Sequence, residues 1–416
     1  MKKNIGYPEE SSKSAFYSKT LTAAEIKATL PTATVLLEYY IGEKTVAGAT
    51  VSNKNGIYTK ILPLTTQQLK DMVQRFRDTI DYPVGDESYI EDGAKLYDVL
   101  VKPFETYLSG HQRLGIIPHG VLHYLPFQAL VASQKEESKE FDGKMRDKKV
   151  SPTRIEPSKY THNNRPFFLL YHYAIFYSPS ATILGIAKRM NTYRHENLLA
   201  VGSPPNITVK DSNSQMLIYE KLSFAEAEIL QVSKLFKNKQ AFIDTDATET
   251  IVKNQAANHD ILLFPVHGEF NRQQPLQSCL FFNRDSNNDG LLTVGEIEKI
   301  HFNATLVVLS ACESGMVAPY EGINENLIDA IFPLGDDLVG FQRAFIKSGS
   351  ASLLSTLWKV DSNSTALLIA KFFEQYKAGY DKASALQAAQ IYLMQLNQDW
   401  IRPYYWAPFI LSGDWL

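Results

Sequence analysis

Two residues of this chain, Cys312 and His267, have the types and the spacing that nucleophilic catalysis by cysteine requires. Each comes shortly after a short apolar run, LVVL before the cysteine and ILLF before the histidine. Runs this short and this rich in branched residues predict buried strands of a parallel sheet, whose carboxyl ends meet at one edge. An unperturbed thiol has a pKa of about 8.5, and a neighbouring imidazole raises its ionised fraction at neutral pH. The pair therefore predicts a cysteine nucleophile with a histidine base.

An oxyanion hole is expected at the same edge. The backbone N–H groups of Gly268 and Cys312 could point at the oxygen of an attacked carbonyl, a contribution of about 3–4 kcal/mol where such donors have been removed. No third group that would orient the imidazole is evident in the sequence, and a backbone carbonyl is one alternative. The acid next to the nucleophile, Glu313, is expected to face away from the imidazole and is a candidate substrate contact.

Several longer stretches resemble a known family. HGEF and SACESG around the pair, then GFQRAFIKSGSASLLSTLWKVDSNST and YYWAPFILSGD, resemble the CHAT family, a caspase-related domain of the clan that contains separases and caspases. LPTATVLLEYYIGEKT and HGVLHYLPFQAL resemble its amino-terminal half, so the resemblance covers roughly residues 21–415. It implies a cysteine endopeptidase that cuts a protein substrate in bacterial defence or cell-death signalling. It also implies helical repeats upstream or a separate activating protein as partners.

The resemblance and the strand pattern together predict an α/β fold, a caspase-like three-layer sandwich around a mainly parallel sheet. In residues 193–416 strand and helix patterns alternate, which is typical of a parallel sheet with helices on both faces. Residues 21–192 are expected to form an inactive caspase-like half, with a β-meander and a charged loop at 132–165. Residues 1–20 are expected to be a linker or tail.

Substrate specificity is expected to come from the strand end LWKVDSNST, which lies beside the nucleophile in a caspase-like sheet. Trp358 would supply an apolar wall, and Asp361 an acidic group that would favour a basic residue before the cleaved bond. The alternative for Asp361 is that it caps the following helix. Some members of the clan accept apolar residues in this pocket.

The segment 314–337 follows the nucleophile directly and is longer and more acidic than the link expected from the family. It is interpreted either as a lid that a partner must move or as an inert insertion. A lid would make the isolated domain a weak or silent enzyme. The main alternative to a peptidase is a catalytically silent interaction module. A more remote alternative, a hydrolase of small acyl or amide compounds, would need a closed pocket.

The loop that runs from Asp285 to Glu296 fits the calcium-binding pattern D-x-N-x-D-G-x5-E, with Asn287 and Asp289 at the intermediate positions. The run before it reads as a strand, however, and not as the helix that enters such a loop. We therefore favour a turn in which Thr293 caps a helix and Glu296 completes a capping box. The sequence predicts no cofactor and no metal.

Composition sets the remaining expectations. The chain has 416 residues, of which 44% are hydrophobic and 21% are charged, and a net charge of −3. This balance is typical of a globular protein and gives no basic field that would attract nucleic acid. No apolar run is long enough to cross a bilayer, and two cysteines are few for an oxidising compartment, so a cytoplasmic protein is expected. The second cysteine, Cys279, is expected to be a core thiol.

Overall fold

The computed structural model describes most of the chain, and it places both strands that were predicted to precede the catalytic pair. The described residues are 20–132, 166–190, 197–210, 216–269, 271, 274–310 and 336–416. The predicted tail at 1–20 and the charged loop at 132–165 lie almost entirely outside them. Because residues 191–196 also lie outside them, the predicted boundary between the halves stays a prediction.

The elements alternate along the chain, as the sequence predicts for its second half. The strands are β1 Thr34–Ile41, β2 Val46–Ser52, β3 Gly56–Ile61, β4 Arg113–Ile117, β5 Ala174–Tyr177, β6 Asn197–Gly202, β7 Ile207–Lys210, β8 Met216–Tyr219, β9 Asn238–Ile243, β10 Ile261–Phe264, β11 Gly268–Glu269, β12 Cys279–Phe281, β13 Leu291–Thr293, β14 Leu306–Leu309, β15 Ser352–Thr356 and β16 Phe409–Gly413. The helices are α1 Ala23–Thr29, α2 Thr66–Ile80, α3 Ser88–Leu100, α4 Glu105–Leu108, α5 Ala181–Met190, α6 Ala225–Lys234, α7 Glu249–Gln255, α8 Val294–Ile297, α9 Asp336–Lys347, α10 Ser362–Lys377, α11 Lys382–Leu396 and α12 Pro403–Trp406.

Eleven strands form one sheet, in the order β3-β2-β1-β4-β5-β16-β15-β14-β10-β6-β9. The five strands β15, β14, β10, β6 and β9 run parallel to one another, and β16 is antiparallel to β15. A three-stranded sheet β11-β12-β13 and the hairpin β7-β8 lie outside it. The predicted α/β fold with a large, mainly parallel sheet is confirmed.

Both faces of the sheet are covered. In β10, Ile261 and Leu263 pack into one hydrophobic cluster and Leu262 and Phe264 into another. Adjacent residues of a strand point to opposite faces, so the two clusters are the two sides of the sheet. This explains why the strand reads as a continuous apolar run: a strand buried on both faces has no polar side. Helices therefore flank the sheet on both sides, as in a three-layer sandwich.

The two predicted halves share this sheet. The meander β1-β2-β3 is antiparallel, as predicted, and β1 continues in parallel to β4 and β5. The last strand of the chain, β16, then pairs in parallel with β5 through Ser412 and Tyr177. One sheet thus runs through both halves, which fixes their relative position.

Within the part of the chain that the structure describes, no helix has both the length and the apolar character needed to cross a bilayer.

Candidate active site

The candidate site lies where two adjacent parallel strands end. Phe264, the last residue of β10, pairs with Leu309, the last residue of β14. His267 follows three residues after β10, and Ser310 directly follows β14. Cys312 and Glu313, with nearly all of the predicted lid at 314–337, lie outside the described residues, so their placement stays a prediction.

The imidazole of His267 is held by a backbone carbonyl. Its Nε2 lies 2.7 Å from the carbonyl oxygen of Glu220, and the side chain is 8% exposed. A carbonyl oxygen can only accept, so Nε2 carries the hydrogen and Nδ1 is the unprotonated nitrogen of the neutral ring. Nδ1 is buried and has no hydrogen-bond partner among the described residues. The ring is therefore fixed in the tautomer that offers Nδ1 as a base.

The ring of Tyr219 supports the same imidazole from the side. Its centroid lies 5.4 Å from that of His267, with the two planes tilted by 52°. Tyr219 ends the hairpin β7-β8, and Glu220 follows it directly, so this hairpin supplies both contacts that orient the histidine. The sequence predicted neither contact, because the hairpin is nearly 50 residues away along the chain.

The backbone N–H of Gly268 is turned away from the small sheet. Gly268 pairs with Leu280 across β11 and β12, and the Phe281 N–H donates to the His267 carbonyl at 2.8 Å. In an antiparallel ladder this pattern means that Gly268 and Leu280 do not bond each other, so the Gly268 N–H points away from β12. The oxyanion hole of Gly268 and Cys312 stays a prediction, because Cys312 lies outside the described residues.

A cleft opens at this edge between the strand ends and the helices α6 and α10. Its cavity volume is about 50 Å³, it is partly open to solvent, and both His267 and Ser310 line it. Its apolar lining consists of Leu222, Ala225, Pro265 and Val360. Its most deeply buried polar residues are Glu228, Ser310 and Thr365, each no more than 2% exposed.

Glu228 is a site residue that the sequence analysis missed. It lies on α6, and its Oε1 is 2.5 Å from the hydroxyl oxygen of Ser310. Burial raises the pKa of the Glu228 carboxyl from 4.5 to about 8, although the bond from Ser310 opposes this shift. A signal was present, because Glu228 falls on the buried face of its helix, between Ala225 and Ile229. A glutamate on the apolar face of a helix is unusual unless its carboxyl group has a bonding partner.

The two predicted pocket residues after β15 are placed differently from the expectation. Asp361 accepts a hydrogen bond from the Ser364 N–H at 2.8 Å, so it caps α10, as the alternative held. Trp358 is 3% exposed, and its indole N–H donates to the carbonyl of Tyr404 at 3.2 Å. Trp358 is therefore a core residue and not a wall of the cleft. Burial of the large apolar ring of Trp358 in the core is favourable. Val360, two residues further along the chain, belongs to the apolar lining of the cleft.

The buried indole of Trp358 joins the two halves. The guanidinium of Arg77, on α2, lies 4.7 Å from its ring centroid. Arg77 also makes two bonds of 2.7 Å to Asp81 and one to the carbonyl of Tyr124. Burial raises the pKa of Asp81, and Arg77 opposes this shift. The amino-terminal half thus contacts the residue that leads into the cleft-lining loop.

Comparison with known proteins agrees with this architecture. The sequence model of the CHAT domain matches residues 91–414. The chain belongs to the CHAT domain family. No curated protein matches it.

Solved structures similar to this CHAT domain are caspase-like. The separase of the Saccharomyces cerevisiae separase–securin complex aligns over 94% of this chain, with a TM-score of 0.51 and 10% identity. The Arg-specific cysteine proteinase gingipain R aligns over 84% of this chain and 74% of its own, with a TM-score of 0.41 and 8% identity. The complex of the Porphyromonas gingivalis RgpB pro- and mature domains aligns over 84% of this chain and 76% of its own, with a TM-score of 0.39 and 8% identity. This chain spans 30% of the separase chain, and the likeness shows the fold alone.

The acids of the loop with a calcium-binding pattern are hydrogen-bonded within the loop and to Lys253 on α7. Glu296 Oε1 bonds the ammonium of Lys253 at 2.9 Å, and its Oε2 accepts from the Thr293 N–H at 2.9 Å. The predicted capping box of Thr293 and Glu296 is confirmed. Asp285 accepts from the Asn287 N–H at 2.8 Å. Among the described residues, no group of three or more histidine, cysteine or acidic side chains could hold a metal ion.

The second cysteine of this CHAT domain is a core thiol, as predicted. Cys279 is 7% exposed and lies on β12. Burial, followed by nearby acids such as Glu269, raises the pKa of its thiol to about 12. It therefore stays protonated at neutral pH and is a poor nucleophile.

Proposed function

We propose that this CHAT domain is a cysteine endopeptidase in which Cys312 is the nucleophile and His267 the base. One observation carries the proposal: the Glu220 carbonyl holds the imidazole so that Nδ1 is unprotonated, buried and unbonded among the described residues. This nitrogen lies at the edge where the adjacent strand, β14, leads within three residues to Cys312.

The reaction follows from these groups. His267 Nδ1 takes the thiol proton, and the Cys312 sulfur attacks the carbonyl carbon of a peptide bond. The N–H groups of Gly268 and Cys312 stabilise the oxygen that becomes negative. The imidazolium then gives its proton to the amine as the carbon–nitrogen bond breaks, which leaves an acyl-enzyme. Water, deprotonated by His267, attacks the acyl carbon and releases the thiol.

The substrate and the control of the enzyme are further parts of the proposal. The substrate is a protein, cut at one or few places in bacterial defence or cell-death signalling, with Glu313 as a candidate contact. Activation depends on a protein partner or on movement of the segment 314–337. The separase in the structure above is in a complex with securin, so a partner protein is known for one fold neighbour. The alternative stays a catalytically silent interaction module.

The test is cleavage of a peptide library by the wild type, Cys312→Ala and His267→Asn, with Cys279→Ala as the matched control. We expect cleavage by the wild type and the control, and none by the other two variants. Iodoacetamide uptake at pH 7 is measured in parallel. Silence toward every peptide with a rapidly alkylated Cys312 would indicate a covered site. Silence with an unreactive Cys312 would favour the interaction module.

A further inference from the structure

The cleft beside His267 has both apolar and polar lining residues. Leu222 and Val360 belong to its apolar lining, and Glu228 and Ser310, which also line it, are almost fully buried. Ser310 is two residues from Cys312, and so at most about 7 Å from it along the chain. With the thiol at this strand edge, as the proposed function has it, the side chain just before the scissile bond would enter this cleft.

The polar lining of the cleft can accept hydrogen bonds. Once ionised, Glu228 offers two carboxylate oxygens, and the hydroxyl of Thr365 already donates to the Asp361 carbonyl at 2.7 Å, so its oxygen is left to accept. Apolar lining residues beside such acceptors suit a long aliphatic stem with a head that carries N–H donors, and a guanidinium presents five of them. An acidic side chain would be repelled by the ionised carboxylate, and an apolar one would leave the acceptors without partners.

We infer that Glu228 is the specificity-determining residue of this cleft, and that it selects a basic side chain, arginine before lysine, immediately before the cleaved bond. This inference rests on the proposed peptidase function. It assigns to Glu228 the role that the sequence analysis gave to Asp361, whose carboxylate caps a helix.

Binding of the cation is coupled to release of a proton. In the empty cleft the Glu228 carboxyl is mostly protonated at pH 7, because burial raises its pKa to about 8. A guanidinium beside it favours the carboxylate, and the carboxyl proton then passes to the solvent. The preference of the cleft for a cationic side chain over a neutral one of the same shape should therefore rise with pH, by roughly tenfold per pH unit below pH 8.

Two other groups that line the cleft carry or can carry charge. His267 lies at the strand edge, and Lys359 is exposed at the mouth. His267 takes part in the chemical step of the proposed reaction and affects every substrate alike. The side chain of Lys359 is exposed, so its repulsion of a cation is screened by solvent, whereas Glu228 is almost fully buried.

The experiment compares two peptide substrates that differ only before the scissile bond, one with arginine and one with its neutral isostere citrulline. The ratio of their kcat/KM values removes the titration of the catalytic groups. For the wild type we expect this ratio to rise roughly fiftyfold from pH 6 to pH 8. In Glu228→Gln the ratio should be flat and on the order of a hundredfold lower at pH 8. The matched control is Glu226→Gln, an exposed acid on the same helix, which should behave as the wild type.

Binding is measured separately from catalysis. Acetyl-arginine methylamide and acetyl-citrulline methylamide are titrated into Cys312→Ala by calorimetry, in buffers of different ionisation enthalpy. The arginine compound should bind more tightly and release close to one proton at pH 7. Glu228→Gln in the same background should remove both effects.

The outcomes separate the two proposals. Binding that depends on charge and on Glu228, without any peptide cleavage, would support the basic pocket and count against the peptidase. Cleavage by the wild type with an arginine-to-citrulline ratio of kcat/KM near one at every pH would overturn the basic pocket. It would still support the peptidase function. The pH dependence of the cleavage ratio is measured on the wild type alone, so it tests the basic pocket whether or not Glu228→Gln folds.

Discussion

The buried carboxyl of Glu228 makes the stability of the protein depend on pH in a direction that few surface acids would produce. Its pKa is 4.5 when unfolded and about 8 when folded, so the folded state binds more protons between these values. Its contribution is fully present below pH 4.5 and is lost as the pH rises to about 8. Each pH unit costs about 1.4 kcal/mol, which gives about 5 kcal/mol over the whole interval. Glutamine, which cannot ionise, mimics the protonated acid and should not lose this stability.

The assay is urea unfolding of the wild type, Glu228→Gln and Glu226→Gln, followed by tryptophan fluorescence at pH 5, 6, 7 and 8. Other titrating groups are shared and cancel in the difference between variants. We expect Glu228→Gln to gain free energy of unfolding relative to the wild type by about 1.4 kcal/mol per pH unit. Glu226→Gln should follow the wild type. Parallel curves for the wild type and Glu228→Gln would refute the reasoning, because they would mean that this carboxyl is ionised in the folded protein.

Three further predictions concern the rest of the molecule. Arg77→Met should lower the free energy of unfolding by about 3 kcal/mol, because it leaves the half-buried carboxylate of Asp81 without its ion-pair partner and removes the cation beside the indole of Trp358. Arg75→Met, at an exposed arginine of the same helix, should change it by less than about 0.5 kcal/mol in the same urea titration. Cys279 should take up no iodoacetamide in native Cys312→Ala at pH 7 and should react once urea unfolds the protein, as mass spectrometry would show. Gly349→Ala should unfold at a much lower temperature than Gly379→Ala in calorimetry. Both glycines have positive φ, but a Cβ added at Gly349 would overlap the backbone oxygen of Phe302, whereas one at Gly379 meets nothing within 4 Å.

Local signals in the sequence determined the elements and the position of the histidine. The strand Ile261–Phe264 and the helix Lys382–Leu396 have the predicted bounds, and the box of Thr293 and Glu296 forms as expected. Apolar periodicity and capping depend on residues that are at most a few positions apart, so the sequence alone reports them. The same strand bounds place His267 at the end of β10.

Contacts between distant residues were decided only by the tertiary structure. The carbonyl of Glu220 fixes the tautomer of His267 from 47 residues away, and the bond between Glu228 and Ser310 spans 82 residues. No local pattern encodes such a pair, because it exists only once the hairpin and α6 pack against the sheet edge. The burial of Trp358 likewise depends on a distant contact, because its partner Arg77 belongs to the other half. The sequence thus determined that a histidine follows β10. Packing determined that Glu220 orients this histidine and that Glu228 lines the cleft beside it.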